Sequence, residues 1–274
     1  MLFMKRVAFS VVFVYACLIS VFSQQTTSII PGSYIAGNAT TAYQNEWIAF
    51  HNPASLATEK GISLQASCEN KYLTKELFNE VFGIGIHTKY LNIGASLSHF
   101  GFADYHEIMT GISLARRFSD RLNIGIQANY YTVYFPQLQK YKGTVFAQVG
   151  IQCRVVKNFH LAFHCFNPTF SKIKSSEIHQ KLPAIFSIGS LHIINEKVNW
   201  VAQIDKNVYG KWHWAVGVEY APFKQFTVRV GGYGQDFVPT LGVGLHFGEF
   251  RFNLHCEYHL KLGLCTFGML GYRF

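Results

Sequence analysis

The sequence predicts an all-β protein, a transmembrane antiparallel β-barrel of about fourteen strands with a short N-terminal hatch in its lumen. Apolar and polar residues alternate with a period of two through most of the chain after residue 59, as in strands with one apolar and one polar face. The alternating segments are roughly 9 to 14 residues long, which a tilted strand needs to cross a bilayer. Every second connection between them is short.

The N-terminal residues 1–23 are expected to form a secretory signal peptide. Lys5 and Arg6 precede an apolar run over Val7–Phe22, and Ser23 supplies a small residue at the expected cleavage site. Acylation of a cysteine at position 17 is the alternative, but the apolar run continues beyond it. The sequence therefore predicts an exported chain that begins near residue 24.

Composition favours a protein that is partly covered by lipid. The chain is 49% hydrophobic and 16% aromatic but only 14% charged, whereas about a quarter of a soluble domain is usually charged. After the signal peptide no apolar run reaches the roughly 18 to 20 residues of a membrane-spanning helix. We therefore exclude a helical membrane protein.

The net charge is only mildly basic. Removal of the signal peptide lowers the count of Lys and Arg from 24 to 22 against 15 Asp and Glu, which leaves about +7. No run of basic residues occurs, so nucleic acid is not an expected partner.

The strands are predicted from the alternation. In Leu122–Tyr130 the even-numbered residues are apolar or aromatic, and in Phe250–Leu260 the even-numbered residues are again the apolar set. Strands are expected to begin near residues 60, 80, 91, 106, 121, 142, 158, 182, 196, 211, 224, 236, 249 and 262. The opposite, polar faces supply the predicted lumen-lining residues Gln127, Gln148, Gln152, Arg154, His255, Glu257 and His259.

Connection lengths predict the orientation. Tight polar connections fall near 89–92, 119–121, 156–158, 195–197, 222–225 and 248–249, and longer ones at 136–143 and 167–182. Barrels of the outer membrane of Gram-negative bacteria have short periplasmic turns and longer outside loops. The sequence therefore predicts localisation in a bacterial outer membrane, with both termini on the periplasmic side and outer-membrane lipid around the barrel.

The last strand ends on an aromatic residue without a polar tail. In Gly263–Phe274 the even-numbered residues are expected to face lipid, with Tyr272 and Phe274 at the periplasmic aromatic girdle. A terminal strand that ends in Phe also resembles the signal by which the barrel-assembly machinery recognises its clients. We therefore expect that machinery to be a partner.

Residues 24–58 interrupt the alternation and separate the signal peptide from the barrel, residues 59–274. Tyr43, Trp47 and Phe50 have helix-like spacing, and Pro53 should end any helix there. One interpretation is a periplasmic segment that packs under the barrel. The other is a plug.

The segments "GNA" at 37–39 and "WIAFHNPASLA" at 47–57, followed by some fourteen strands, resemble the barrels grouped around the long-chain fatty acid transporters and the PorV-like barrels of type IX secretion. The resemblance implies that Asn52 and Pro53, with Trp47 and Phe50, belong to a hatch inside the lumen. The expected function is a gated channel or transporter for small or hydrophobic solutes, because the predicted inward faces are more polar than a self-filled lumen requires. The alternative, which the PorV-like resemblance implies, is a scaffold that holds a secreted or surface protein at the outer membrane.

Catalytic and metal sites are not predicted. His255, Glu257 and His259 are neighbours about 7 Å apart on one strand face, and with His160 and His164 they could be considered as metal ligands. Polar inward faces of large barrels need no such role. The sequence has no G-x-S-x-G, H-E-x-x-H or CxxC motif. We therefore expect no catalytic residues, no metal, no cofactor and no enzymatic activity.

Overall fold

The computed structural model describes residues 29–44, 46–102, 105–136, 139–174 and 179–274. The predicted signal peptide, residues 1–23, lies outside the described residues. In the ranges described, no helix combines the length and the hydropathy that crossing a bilayer requires.

The described residues form a closed antiparallel barrel of fourteen strands, which confirms the predicted fold class. Each strand pairs with its neighbour in the chain except that β7 pairs with β10, and β1 closes the barrel against β16. The strands of the barrel are β1 (Ile62–Asn70), β2 (Phe78–His87), β3 (Asn92–Phe102), β4 (Tyr105–Ser119), β5 (Leu122–Phe135), β6 (Lys140–Val156), β7 (Phe159–Phe166), β10 (Ile185–Asn195), β11 (Val198–Asn207), β12 (Trp212–Phe223), β13 (Phe226–Tyr233), β14 (Val238–Phe247), β15 (Phe250–His259) and β16 (Gly263–Arg273). Two short strands, β8 (Lys172–Lys174) and β9 (His179–Lys181), form a separate ribbon.

The predicted strand starts lie within three residues of the observed ones. The largest difference is at β10, which begins at Ile185 and not near residue 182. Pro183 cannot donate a ladder hydrogen bond, so pairing starts after it. The β8–β9 ribbon lies in the segment 167–182 that the sequence predicts as a loop.

The two faces of each barrel strand follow the predicted alternation. On β5, Ile126 is 53% exposed on the outside, whereas the neighbouring Gln127 is 1% exposed on the inside. Outward apolar residues such as Ile112 and Leu254, each 63% exposed, recur on other strands. The barrel thus has an apolar exterior, and the inward faces of its strands are polar and buried.

The first and last strands close the barrel in register. Ser63–Asn70 pairs with Thr266–Arg273, and the Phe274 N–H donates to the Ile62 carbonyl at 2.8 Å. The chain enters β1 through Gly61, whose φ of 68° suits glycine. The start of β1 and the end of β16 both lie at the end of the barrel that has the short connections. We call this end the turn side and the opposite end the loop side.

Candidate functional site: the lumen and its hatch

Residues 29–44 and 46–59, here called the hatch, lie inside the barrel and bond to inward side chains on opposite walls. The Gly32 N–H donates to Glu69 on β1 at 3.1 Å, and the Thr41 N–H donates to Gln203 on β11 at 2.8 Å. Other wall side chains that bond to the hatch backbone are Gln65, Asn92, Gln152 and Thr240. The hatch is therefore held around the circumference of the lumen and not under it.

Close approach of the hatch backbone to the wall depends on glycine. Gly125 on β5 and Gly150 on β6 are paired neighbours, and a Cβ on either would collide with Asn52, Pro53 or Ala54. A similar pair, Gly85 and Gly94 on β2 and β3, faces Trp47 and Leu56, and Gly217 and Gly231 on β12 and β13 face the backbone at 36–37. The three glycine pairs thus leave space on the wall into which the hatch packs.

The four predicted hatch residues are all buried in this segment. Asn52 caps a 3₁₀ turn over Pro53–Thr58: its Oδ1 accepts from the Ala54 N–H at 3.0 Å, and its Nδ2 donates to the Thr41 carbonyl at 2.7 Å. Pro53 takes the first position of that turn, where a missing N–H costs nothing. Trp47 and Phe50 lie in an apolar cluster between hatch and wall.

The helix-like spacing of Tyr43, Trp47 and Phe50 does not produce a helix. The described residues between 43 and 50 are not helical, and Phe50 has a φ of 66°. Trp47 and Phe50 pack in one apolar cluster of the lumen, and Tyr43 packs in another. Pro53 consequently begins a turn and does not end a helix.

A buried arginine on the wall contacts the hatch. Arg229 on β13 is 2% exposed; its Nε donates to Glu219 at 2.8 Å and its Nη1 donates to Asn253 at 2.8 Å. The guanidinium lies 4.9 Å from the centre of the Tyr34 ring of the hatch. Its charge is therefore compensated by a carboxylate and by an aromatic face.

Two ion pairs tie the hatch to the turn-side ends of the last strands. Glu46 pairs with Arg251 at 2.9 Å and accepts a hydrogen bond from the Tyr34 hydroxyl. Glu59 pairs with Arg273 at 2.7 Å. Burial raises the pKa of Glu59, while the Trp47 N–H and Arg273 oppose that shift.

Three of the predicted lumen-lining residues form hydrogen bonds within the wall or to the hatch. Gln127 bonds within the wall, and the side-chain Oε1 of Gln148 lies 3.0 Å from Nε2 of His164. Gln152 reaches the hatch, since its Nε2 donates to the Tyr43 carbonyl at 2.9 Å. These glutamines are buried and do not line an open passage.

The other four also face inward but at different depths. Glu257 accepts from the Tyr233 hydroxyl at 2.7 Å and from Asn38 Nδ2 of the hatch, and His255 lies 3.6 Å from its carboxylate. His259 is half-buried near the loop side, and Arg154 is half-buried near the turn side. His255 and Glu257 are therefore in contact, and Glu257 and His259 line one cavity.

Metal binding finds no geometric support in the described part of the chain. No group of three or more His, Cys, Asp or Glu residues there is arranged to hold a metal ion. His160 and His164 are on β7, far along the sheet from His255 and Glu257 on β15.

A cavity of about 300 Å³ lies on the loop side of the hatch. Its floor is hatch, including Thr41, Phe50 and His51. Apolar parts of its wall come from Phe166, Ile185, Ala215, Tyr233 and Val238, and polar parts from Glu69, Asp205, Gln203 and Glu257. Burial lowers the pKa of His51 to about 4, so this side chain is neutral near pH 7.

The other half of the loop-side lumen is filled. An apolar cluster combines Phe50 with wall residues Met109, Tyr131, Val133, Phe146 and Phe166 and with Ile173 and Leu182 from the connection between β7 and β10. The cavity is therefore confined to the side of the lumen near β7, β10–β16 and β1.

Sequence reasoning missed Arg229 and His51. Arg229 carries a readable signal, because it is a single charge among inward positions of the short strand "FTVRVGGY". His51 has none, since its place in the floor depends on how the irregular hatch folds.

No known protein family and no curated protein matches this sequence. Solved structures do match. The toluene transporter TbuX of Ralstonia pickettii is 13% identical, with a TM-score of 0.67 over 89% of this chain and 98% of that one. The toluene transporter TodX of Pseudomonas putida is 11% identical, with a TM-score of 0.67 over 88% and 96%. A Pseudomonas aeruginosa FadL homologue is 12% identical, with a TM-score of 0.61 over 87% and 96%. At such identities the likeness shows a shared barrel fold.

Proposed function

We propose that this protein is a bacterial outer-membrane transporter for small hydrophobic solutes, closed at rest by its hatch. The observation that carries the proposal is the cavity on the loop side, with hatch residues as its floor, inside a closed barrel. A solute that enters from the loop side would reach this cavity and stop at the hatch.

The apolar exterior supports a location in the membrane, and the fold supports small hydrophobic solutes as the substrate class. Outward Leu, Ile, Val and Phe side chains would be stable in lipid and unstable as a water-exposed surface. The structures that share the fold include proteins described as toluene transporters and as a monoaromatic hydrocarbon channel. We further propose that the protein is exported through a cleaved signal peptide and that it has no enzymatic activity.

Movement of the hatch is the step that transport would require. A barrel of this strand number is wider than eight-stranded barrels, which side chains alone fill. The hatch is held by many hydrogen bonds, each worth about 1 kcal/mol in net stability. A segment held this way can shift when a few bonds exchange with water, without unfolding the barrel.

Filling the cavity tests the proposal. Ala215 points into the cavity from β12, and the next residue, Val216, points outward and is 39% exposed. We expect Ala215→Phe to reduce uptake of radiolabelled toluene by cells that express the protein, and Val216→Phe to leave uptake unchanged. The proposal would be wrong if Ala215→Phe and the unmodified protein gave equal uptake, or if neither exceeded cells without the protein.

A further inference from the structure

A second cavity, of about 350 Å³, lies at the turn side and is lined by cations. Its lining includes Lys60 before β1, Lys89 between β2 and β3, and Arg116 and Arg117 at the end of β4. Arg116 is on the outward face of its strand and Arg117 on the inward face, so the cavity lies at the rim of the barrel.

The positive charge of this cavity is not compensated by the protein. Among the described residues, no ion pair includes any of the four cations. Glu59 is the carboxylate in the lining, but it is 2% exposed and already pairs with Arg273. An anion of opposite charge would find four donors there and little repulsion.

The positive region continues along the rim. Arg121 at the start of β5, and Arg154 and Lys157 at the end of β6, follow Arg116 and Arg117 around the barrel, and Asp120 is the acidic residue among them. The arrangement therefore favours an extended anionic surface over a single small ion.

Exposed aromatic rings place the cations at the depth of lipid head groups. The Lys89 ammonium lies 5.4 Å from the centre of the Tyr90 ring, and the Arg116 guanidinium lies 5.5 Å from that of Phe118. Tyr90 is 68% exposed and Phe118 is 59% exposed. Aromatic girdles of membrane barrels lie at the interface between hydrocarbon and head groups.

We propose that this cavity binds the phosphate of an anionic phospholipid in the leaflet on the turn side. Arg116 and Arg117 would donate hydrogen bonds to phosphate oxygens, because guanidinium geometry fits phosphate. Lys60 and Lys89 would add charge, and Tyr90 and Phe118 would contact the glycerol and acyl region. The site is separate from the loop-side cavity, since the two share no lining residue and the hatch lies between them.

Native mass spectrometry of the full mature protein tests this proposal. The protein would be exchanged in mild detergent into equal amounts of phosphatidylglycerol and phosphatidylcholine, and the retained lipid counted. We expect preferential retention of phosphatidylglycerol, reduced on the order of tenfold in Arg116→Gln/Arg117→Gln. Lys140→Gln/Lys142→Gln removes two charges from the loop-side end of β6 and should leave retention unchanged.

Three results would overturn the proposal. They are equal retention of the two lipids, equal loss in both double variants, and displacement of phosphatidylglycerol by millimolar inorganic phosphate with phosphate bound in its place. The last result would assign the cavity to a soluble anion. A shift in gel mobility on heating, measured for each variant, shows that the barrel is folded.

Discussion

At the scale of residues, the hatch can approach the wall closely because the wall has glycine, without a side chain, at the points of contact. The alternation places Gly125 and Gly150 on the inward face, and this much is readable from the sequence. Why glycine is needed at these two positions cannot be read from the sequence, because Gly150 contacts Asn52, which is about a hundred positions away in the chain. Local patterns specify faces, whereas such contacts depend on the whole fold.

A methyl group at Gly150 should weaken the seat of the hatch. A Cβ there would overlap Asn52 Oδ1 and lie 3.0 Å from the Ala54 nitrogen, so Gly150→Ala should destabilise the seated hatch by about 1 to 3 kcal/mol. Gly268 faces outward on β16, and a Cβ there meets its nearest atoms at 3.7 Å. We therefore expect limited proteolysis of the hatch to accelerate in Gly150→Ala and not in Gly268→Ala. Equal cleavage of both variants would contradict this account.

Removal of the Arg229 charge should be costly because Glu219 would remain buried. Arg229→Met takes away the Nε donor at 2.8 Å, and such uncompensated charges cost about 3 to 5 kcal/mol. The double variant Arg229→Met/Glu219→Gln removes both charges and should recover part of the loss. Urea denaturation followed by tryptophan fluorescence measures both. An unchanged midpoint in Arg229→Met would show that the pair contributes no stability.

At the scale of elements, strands are predictable and irregular segments are not. The alternation in β5 or β15 is complete within one strand, so faces and limits follow from local residues. The β8–β9 ribbon and the hatch have no such period. Their conformations depend on contacts with the wall, as Asn52 shows by bonding to Thr41 and approaching β6. The sequence therefore predicts the barrel closely and only the position of the hatch.

The closing strand supplies a prediction about assembly. The Tyr272 ring centre lies 4.6 Å from those of Phe250 and Phe274, which forms an outward aromatic cluster at the turn side. Tyr272→Asp/Phe274→Asp should lower the amount of assembled barrel in the outer membrane. Charge near the interface costs only about 0 to 1 kcal/mol per residue, so most of the loss should come from the assembly signal.

A matched pair on the same barrel face separates these two causes. Tyr258, near the loop-side end of β15, and Leu260, just after that strand, are 51% and 69% exposed. Tyr258→Asp/Leu260→Asp adds the same charge at an interface without changing the terminal strand. Assembly, measured as the heat-modifiable fraction in isolated outer membranes, should fall much more for the terminal variant. Equal assembly of the two would remove the role predicted for Tyr272 and Phe274.

At the scale of the whole molecule, the lumen is filled in two layers. The loop side holds the cavity and the apolar cluster, and the middle holds the hatch, whereas the basic cavity lies at the turn-side rim. Polar wall residues such as Gln152 and Gln203 bond to the hatch backbone, and Gln203 also lines the cavity. Part of the polar character of the wall therefore reflects the need to satisfy an irregular buried backbone.

Deletion of the hatch should open the barrel. A variant that lacks residues 28–56 keeps Glu59, which pairs with Arg273, and Gly61, which leads into β1, so closure of β1 on β16 is retained. Its single-channel conductance in planar bilayers should rise well above that of the intact protein, because no other described segment of similar size fills the middle of the lumen. A variant that lacks residues 172–181 on the loop side should stay closed. If the variant without the hatch is also closed, the hatch is not the barrier. If the intact protein passes no solute and a specific secreted protein copurifies with it, the scaffold hypothesis is favoured over the transport hypothesis.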